Sequence, residues 1–162
     1  MSGWVYKLCG ALAVFLVAWG TDRRLRCASL ATEAQIRGYL ALFTYLRHGI
    51  AYERAPLDEL FARGSPSLIS ACTGKEDTRR IPDLAALLAE TEFLSAGLLE
   101  MMEEAAAKLG RGYHEEQIAA CDKYVEALSL LVEAHQSKRE ERTRVTSVLL
   151  YTASAALVLL LL

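Results

Sequence analysis

Three histidines, four cysteines and a group of glutamates are the side chains here best suited to chemistry. A metal site on a helix needs two ligands one turn apart. His48, His114 and His135 lie far from one another, with no ligand partner three or four residues on. His114 stands beside Glu115 and Glu116 where a helix begins, a setting for capping or solvation rather than proton transfer. Gly74-Lys75 matches the end of a phosphate-binding loop, but that loop needs a glycine where this chain has Ile69. Glu100, Glu103 and Glu104 form an acidic face, ordinarily a solvated helix surface and otherwise a contact for a basic partner. No Ser-His-Asp or Cys-His arrangement is recognisable. The chain therefore reads as a non-enzymatic protein, with no catalytic residue, cofactor or metal to assign.

The cysteines say more about compartment than about reactivity. Cys9, Cys27, Cys72 and Cys121 are scattered without paired spacing, a pattern of reduced thiols on the cytosolic side rather than a disulfide framework. Cys9 reads as a small apolar residue in lipid, and Cys72 and Cys121 as small core residues. Met101 and Met102 read as core fillers. Net charge is −2 over 162 residues, which excludes the strongly basic surface of a nucleic-acid binder.

What positions these residues is a membrane topology. Residues 145–162 carry no charge and follow Lys138, Arg139, Arg142 and Arg144. As a helix, eighteen residues cover about 27 Å, close to a hydrocarbon core of about 30 Å. Residues 5–20 form a shorter run of about 24 Å as a helix, with Trp4, Tyr6 and Trp19 as an aromatic belt and Arg23, Arg24 and Arg26 behind it. That run also has the layout of a cleaved signal peptide, with Lys7, an apolar stretch 8–17 and Ala18-Trp19-Gly20 as the cleavage site. The three arginines resist translocation and favour a retained anchor. Both basic collars flank the central segment, so residues 21–144 are expected as a cytoplasmic helical bundle between two transmembrane helices, with both termini on the far side.

Within 21–144 the pattern is all-α. Residues 29–48 carry a stripe of Leu30, Ile36, Leu40, Phe43 and Leu46, with Gly49 as its stop. Pro56 opens a short helix through Leu57, Leu60 and Phe61, closed by Gly64-Ser65-Pro66. A weak helix over 67–72 precedes a polar loop at 73–77. Pro82 and Asp83 start a long apolar stretch with Leu84, Leu88, Leu94, Leu98, Met102, Ala105 and Leu109 on one face. Thr91 and Glu92 are a candidate break in it, and Gly97 a candidate bend or close contact. Gly110 and Gly112 end it. From Tyr113 a last helix sets Ile118, Cys121, Val125, Leu128, Val132 and His135 on a packing seam. Nothing breaks it before residue 145, so it is expected to run on into the apolar tail.

Two stretches carry a family resemblance. Ile50-Ala51-Tyr52-Glu53-Arg54-Ala55-Pro56-Leu57 resembles the Ile-x-Tyr-x-x-x-Pro-Leu signature of the stage III sporulation protein AB family. Leu109-Gly110 followed by Gln117 resembles that family's Leu-Gly turn and downstream glutamine. The order of the motifs between two apolar runs extends the likeness over nearly the whole chain. Gly49 stands where the family usually has an acidic residue, and Leu150, Tyr151, Ala153 and Ser154 where its last span has glycines. Close packing in the membrane would then rest on residues 153–156. The resemblance implies a helical domain like the cytoplasmic domain of type II secretion F proteins, within the endospore channel joining mother cell and forespore. It implies a two-pass cell-membrane protein with its domain in the mother-cell cytoplasm. The implied partners are a secretion-type sporulation ATPase and other channel membrane proteins; the apolar runs add the lipid bilayer, and a homo-oligomer is left open. Proline and glycine at these motifs also have sufficient architectural reasons as helix starts and caps. A different class stays open: a signal-peptide-bearing, C-terminally anchored helical sensor or ligand-binding domain.

Overall fold

The computed structural model describes residues 2–75 and 81–161. The chain is all-α, with no strand among the described residues. The elements are α1 (Ser2–His48), a short π-helix (Gly49–Glu53), α2 (Leu57–Arg63), α3 (Pro66–Thr73), α4 (Leu84–Glu90), α5 (Ala96–Lys108) and α6 (His114–Leu161). They group into two compact units, one of residues 31–134 and the other of residues 1–30 with 135–162.

The unit of residues 31–134 is a helical bundle with one apolar core. From α1 it takes Ile36, Tyr39, Leu42, Phe43 and Leu46, three- and four-residue steps that keep one face inward. Leu60, Phe61, Ile69, Cys72, Leu84, Leu87, Leu98, Met102 and Ala105 add the shorter helices, and Cys121, Tyr124 and Leu128 close it from α6. Each fully buried large side chain contributes about 1.5–3 kcal/mol relative to exposure. Phe43 and Tyr124 meet with ring centroids 5.5 Å apart. At Gly38 an added Cβ would run into the main-chain carbonyl of Ala71, so only glycine lets α1 and α3 approach this closely.

The stripes expected from the sequence are displaced in places. Leu30 is exposed and Leu40 only half-buried, while Tyr39 and Leu42 supply the core. On α6 the buried line is Cys121, Tyr124 and Leu128, with Ile118, Val125 and Val132 half-buried beside it. α1 ends at His48, at the stop expected from Gly49, but the chain stays helical. The backbone widens into the π-helix, and Gly49 is buried where any Cβ would collide with the Leu60 side chain. The turn comes at Arg54, in the left-handed region at φ 51°.

The apolar stretch 82–109 divides at residues 91–95 into α4 and α5, and Leu94 is exposed. Asp83 caps α4, its Oδ1 accepting from the Ala86 N–H at 2.7 Å. Gly97 marks no close contact: nothing lies within 4 Å of a Cβ placed there. Of the loop expected at 73–77, Thr73 is the buried last residue of α3 and Gly74 its left-handed cap, while Glu76 and Asp77 lie outside the described residues.

The unit of residues 1–30 and 135–162 consists of the first part of α1 and the last part of α6. The Asp22 carboxylate accepts from Arg26 at 2.7 Å, one turn on. Its described large apolar side chains lie outward: Leu12, Leu16, Val17, Trp19, Leu25, Val145, Val148 and Leu149 are all exposed, Leu12 by 64% and Val148 by 62%. Most other side chains of the runs 5–20 and 145–162 lie outside the described residues, Thr146, Thr152, Ala153 and Ala156 being among those that do not. Among the described residues no helix is long and apolar enough to cross a membrane.

Candidate functional site

The two sequence motifs meet at one end of the bundle. Ile50 is buried in the π-helix, and Pro56 holds the extended backbone that opens α2, its carbonyl accepting from the Leu60 N–H at 3.1 Å. Leu57 packs against the core, and its Cδ2 lies 4.0 Å from where a Cβ of Gly110 would stand. Leu109 is buried, its N–H donating to the Ala105 carbonyl at 2.8 Å, and Gly110 takes φ 86° to leave α5. Gln117 Nε2 then donates to the Gly112 carbonyl at 2.8 Å. Glu116 reaches back to the Tyr113 N–H at 3.0 Å, half of a capping box, so Glu116 rather than His114 caps α6.

Tyr52 is the exception among these motif residues. It is 74% exposed, its ring against His48 at 4.7 Å. Tyr113, on the turn that follows Gly110, is exposed as well. Around this corner Arg47 pairs with Asp122, and Arg63 bridges Glu53 and Glu59. The corner thus offers aromatic and charged surface over a fixed backbone.

Glu100, Glu103 and Glu104 are all exposed on α5. Glu104 is already engaged: Lys108 donates to its Oε1 at 2.6 Å and Lys123 at 3.2 Å. The hydrogen bond from Lys108, then that from Lys123, holds its carboxyl below the usual range. Glu100 and Glu103 have no ion pair among the described residues. Two of the three glutamates therefore remain as an unneutralised face.

A buried polar cluster escaped the sequence reading. Gln35 Nε2 donates to the carbonyls of Cys72 at 3.3 Å and Glu92 at 2.9 Å, and its Oε1 accepts from the Leu94 N–H at 3.1 Å. One turn on, the Tyr39 hydroxyl donates to Thr91 Oγ1 at 3.0 Å, and Thr91 donates to the Leu87 carbonyl at 2.7 Å. Phe93 stacks on the Tyr39 ring. Burial pushes the Tyr39 phenol well above its ordinary range. The available signal was phase: Gln35 and Tyr39 are four apart on the stripe that buries Leu42 and Leu46.

The thiols expected in the core are there. Burial pushes Cys72 up to about 12 and Cys121 up to about 11, so both stay protonated and poorly nucleophilic at neutral pH. The Tyr124 hydroxyl is buried without a hydrogen-bond partner among the described residues. Among the described residues no group of three His, Cys, Asp or Glu side chains is placed to hold a metal ion.

Compared with known protein families, curated proteins and solved structures, the chain matches none.

Proposed function

We propose that this chain is a non-enzymatic membrane platform of the mother cell–forespore channel, held by two transmembrane helices over 5–20 and 145–162, whose helical domain engages a secretion-type ATPase. The observation that carries the membrane part is the division of apolar surface. Every buried apolar side chain among the described residues lies in the unit of 31–134, while the other unit turns Leu12, Leu16, Val17, Val145, Val148 and Leu149 outward. A helical pair with that surface needs lipid or protein to cover it. The basic collars orient it with the bundle in the cytoplasm. The particular assembly rests on the motif resemblance, supported by the meeting of Leu57 and Gly110 at one corner.

The contact face proposed for the ATPase is Glu100 with Glu103. Charge there would steer a basic partner and make association salt-sensitive. Glu104 belongs instead to a tie between α5 and α6.

Topology is tested by labelling intact cells with an impermeant maleimide. Cys27 is the informative thiol because it is exposed, whereas Cys72 and Thr73 are buried. Protection until the membrane is permeabilised is expected. Labelling from outside, together with a mature chain lacking residues 1–20, would favour the anchored sensor instead. Charge reversal, Glu100→Lys with Glu103→Lys, should weaken co-purification with the ATPase while leaving the thermal midpoint in place. Deleting the gene should stop development after engulfment without affecting vegetative growth, and normal spores would overturn the assignment to this channel.

A further inference from the structure

A cavity of about 300 Å³ lies within the unit of residues 1–30 and 135–162, lined by Asp22, Leu25, Arg26, Ser29, Arg139, Arg142 and Thr146. We infer that it receives the phosphate of an anionic phospholipid headgroup. The lining residues from α1 fall at three-, four- and seven-residue offsets, one helical face. Those from α6 do the same. Three arginines against one aspartate leave the walls two positive charges in excess. The aspartate is engaged by Arg26 at 2.7 Å. A guanidinium has five N–H donors, so that pair leaves Arg26 with donors for a second oxyanion. The Ser29 and Thr146 hydroxyls add neutral donors, and Leu25 with the arginine stems supplies apolar wall.

This site rests on the membrane reading, which sets its depth. Asp22 follows the run 5–20 by two residues, and Thr146 is the second residue of the run 145–162. The cavity would then sit at headgroup level on the cytoplasmic side, where basic pockets between spanning helices hold acidic lipids. Its volume suits a phosphodiester and glycerol but not a whole lipid, so the acyl chains would stay outside.

The full chain is incorporated into phosphatidylcholine vesicles with and without phosphatidylglycerol, and flotation is scored. After detergent extraction, native mass spectrometry counts the lipid retained. Flotation with both vesicles and retention of phosphatidylglycerol over phosphatidylcholine are expected. Arg139→Gln with Arg142→Gln should lower that retention about tenfold or more, the effect of losing a charge-assisted hydrogen bond. Ser29→Trp, which fills the cavity without changing charge, should lower it too. Arg23→Gln with Arg24→Gln removes the same charge from the other collar, outside the cavity, and should leave retention within about twofold, the scale of exposed charge effects. Equal losses in the two arginine pairs, or full retention in Ser29→Trp, would overturn the cavity as the site. Displacement of the lipid by millimolar inorganic phosphate would assign the cavity to free phosphate and overturn the lipid. Flotation without any preference for phosphatidylglycerol rejects the site and leaves the membrane reading standing; failure to float with either vesicle rejects both.

Discussion

Residues 31–134 and the terminal stretches 1–30 and 135–162 are both built from helices, yet their described apolar side chains are disposed in opposite ways. The first buries them around Phe43, Leu87, Met102 and Leu128 and fills the remaining polar needs with Gln35 and Tyr39. The second leaves leucines and valines outward and gathers arginines about a cavity. Helix propensity therefore says little about where stability comes from here. Packing stabilises the first unit, and the solvent it meets decides the fate of the second.

The sharpest way to break that contrast is a pair of alanine substitutions. Leu128→Ala should cost about 2–5 kcal/mol in chemical denaturation of the full chain, because Leu128 is fully buried. Leu149→Ala should change the same midpoint by no more than about 0.5 kcal/mol, as for an exposed position. Equal effects would erase the distinction between the units.

Next in size is the polar cluster. Gln35→Ala strands the Leu94 N–H and two main-chain carbonyls, and should cost about 3 kcal/mol given about 1–3 per unsatisfied buried group. Tyr39→Phe loses one hydrogen bond while Thr91 keeps the Leu87 carbonyl, and should cost about 1 kcal/mol. An unchanged midpoint in Gln35→Ala would mean that water replaces it, and that the cluster is a surface feature.

Alkaline pH gives a smaller and graded effect. The folded state holds the Cys72 and Cys121 thiols up at about 12 and about 11, against 9.0 ordinarily. Above pH 9 the unfolded chain loses these protons and the folded chain keeps them, so folding binds protons and stability falls as pH rises. The contribution is whole below about pH 9 and is lost by the folded pKa values. Denaturation midpoints should decline from pH 9 to 11, and Cys72→Ala with Cys121→Ala should flatten the decline. The smallest effect belongs to Arg47→Ala. Its pair with Asp122 is exposed on both sides, and any loss should vanish in high salt.

The helical class, the place of Phe43, Leu60 and Leu128 in the core and the burial of both central thiols were legible, since each depends on periodicity or residue type alone. The π-helix was not. Gly49 marks the end of α1, but its burial against Leu60 within a continuing helical turn depends on a contact from eleven residues away. The division at residues 91–95 was visible only as Thr91-Glu92, because apolar residues continue on both sides. Of the acidic face, sequence gives three equivalent glutamates. Lys123, nineteen residues from Glu104, separates that one from the others. Polar residues inside an apolar stripe, as at Gln35, read as noise until three main-chain partners converge on them.

That convergence also sets a clock. The Leu94 amide sits in a short connection between two helices, where backbone N–H groups ordinarily exchange with solvent through small local openings. Its acceptor, however, is rooted on α1, and the same side chain holds the carbonyls of Cys72 and Glu92. Releasing Leu94 means parting α1 from both the end of α3 and the connection itself. Its deuterium uptake should keep pace with the slowest core amides, making an exposed leucine on a loop one of the last reporters to yield.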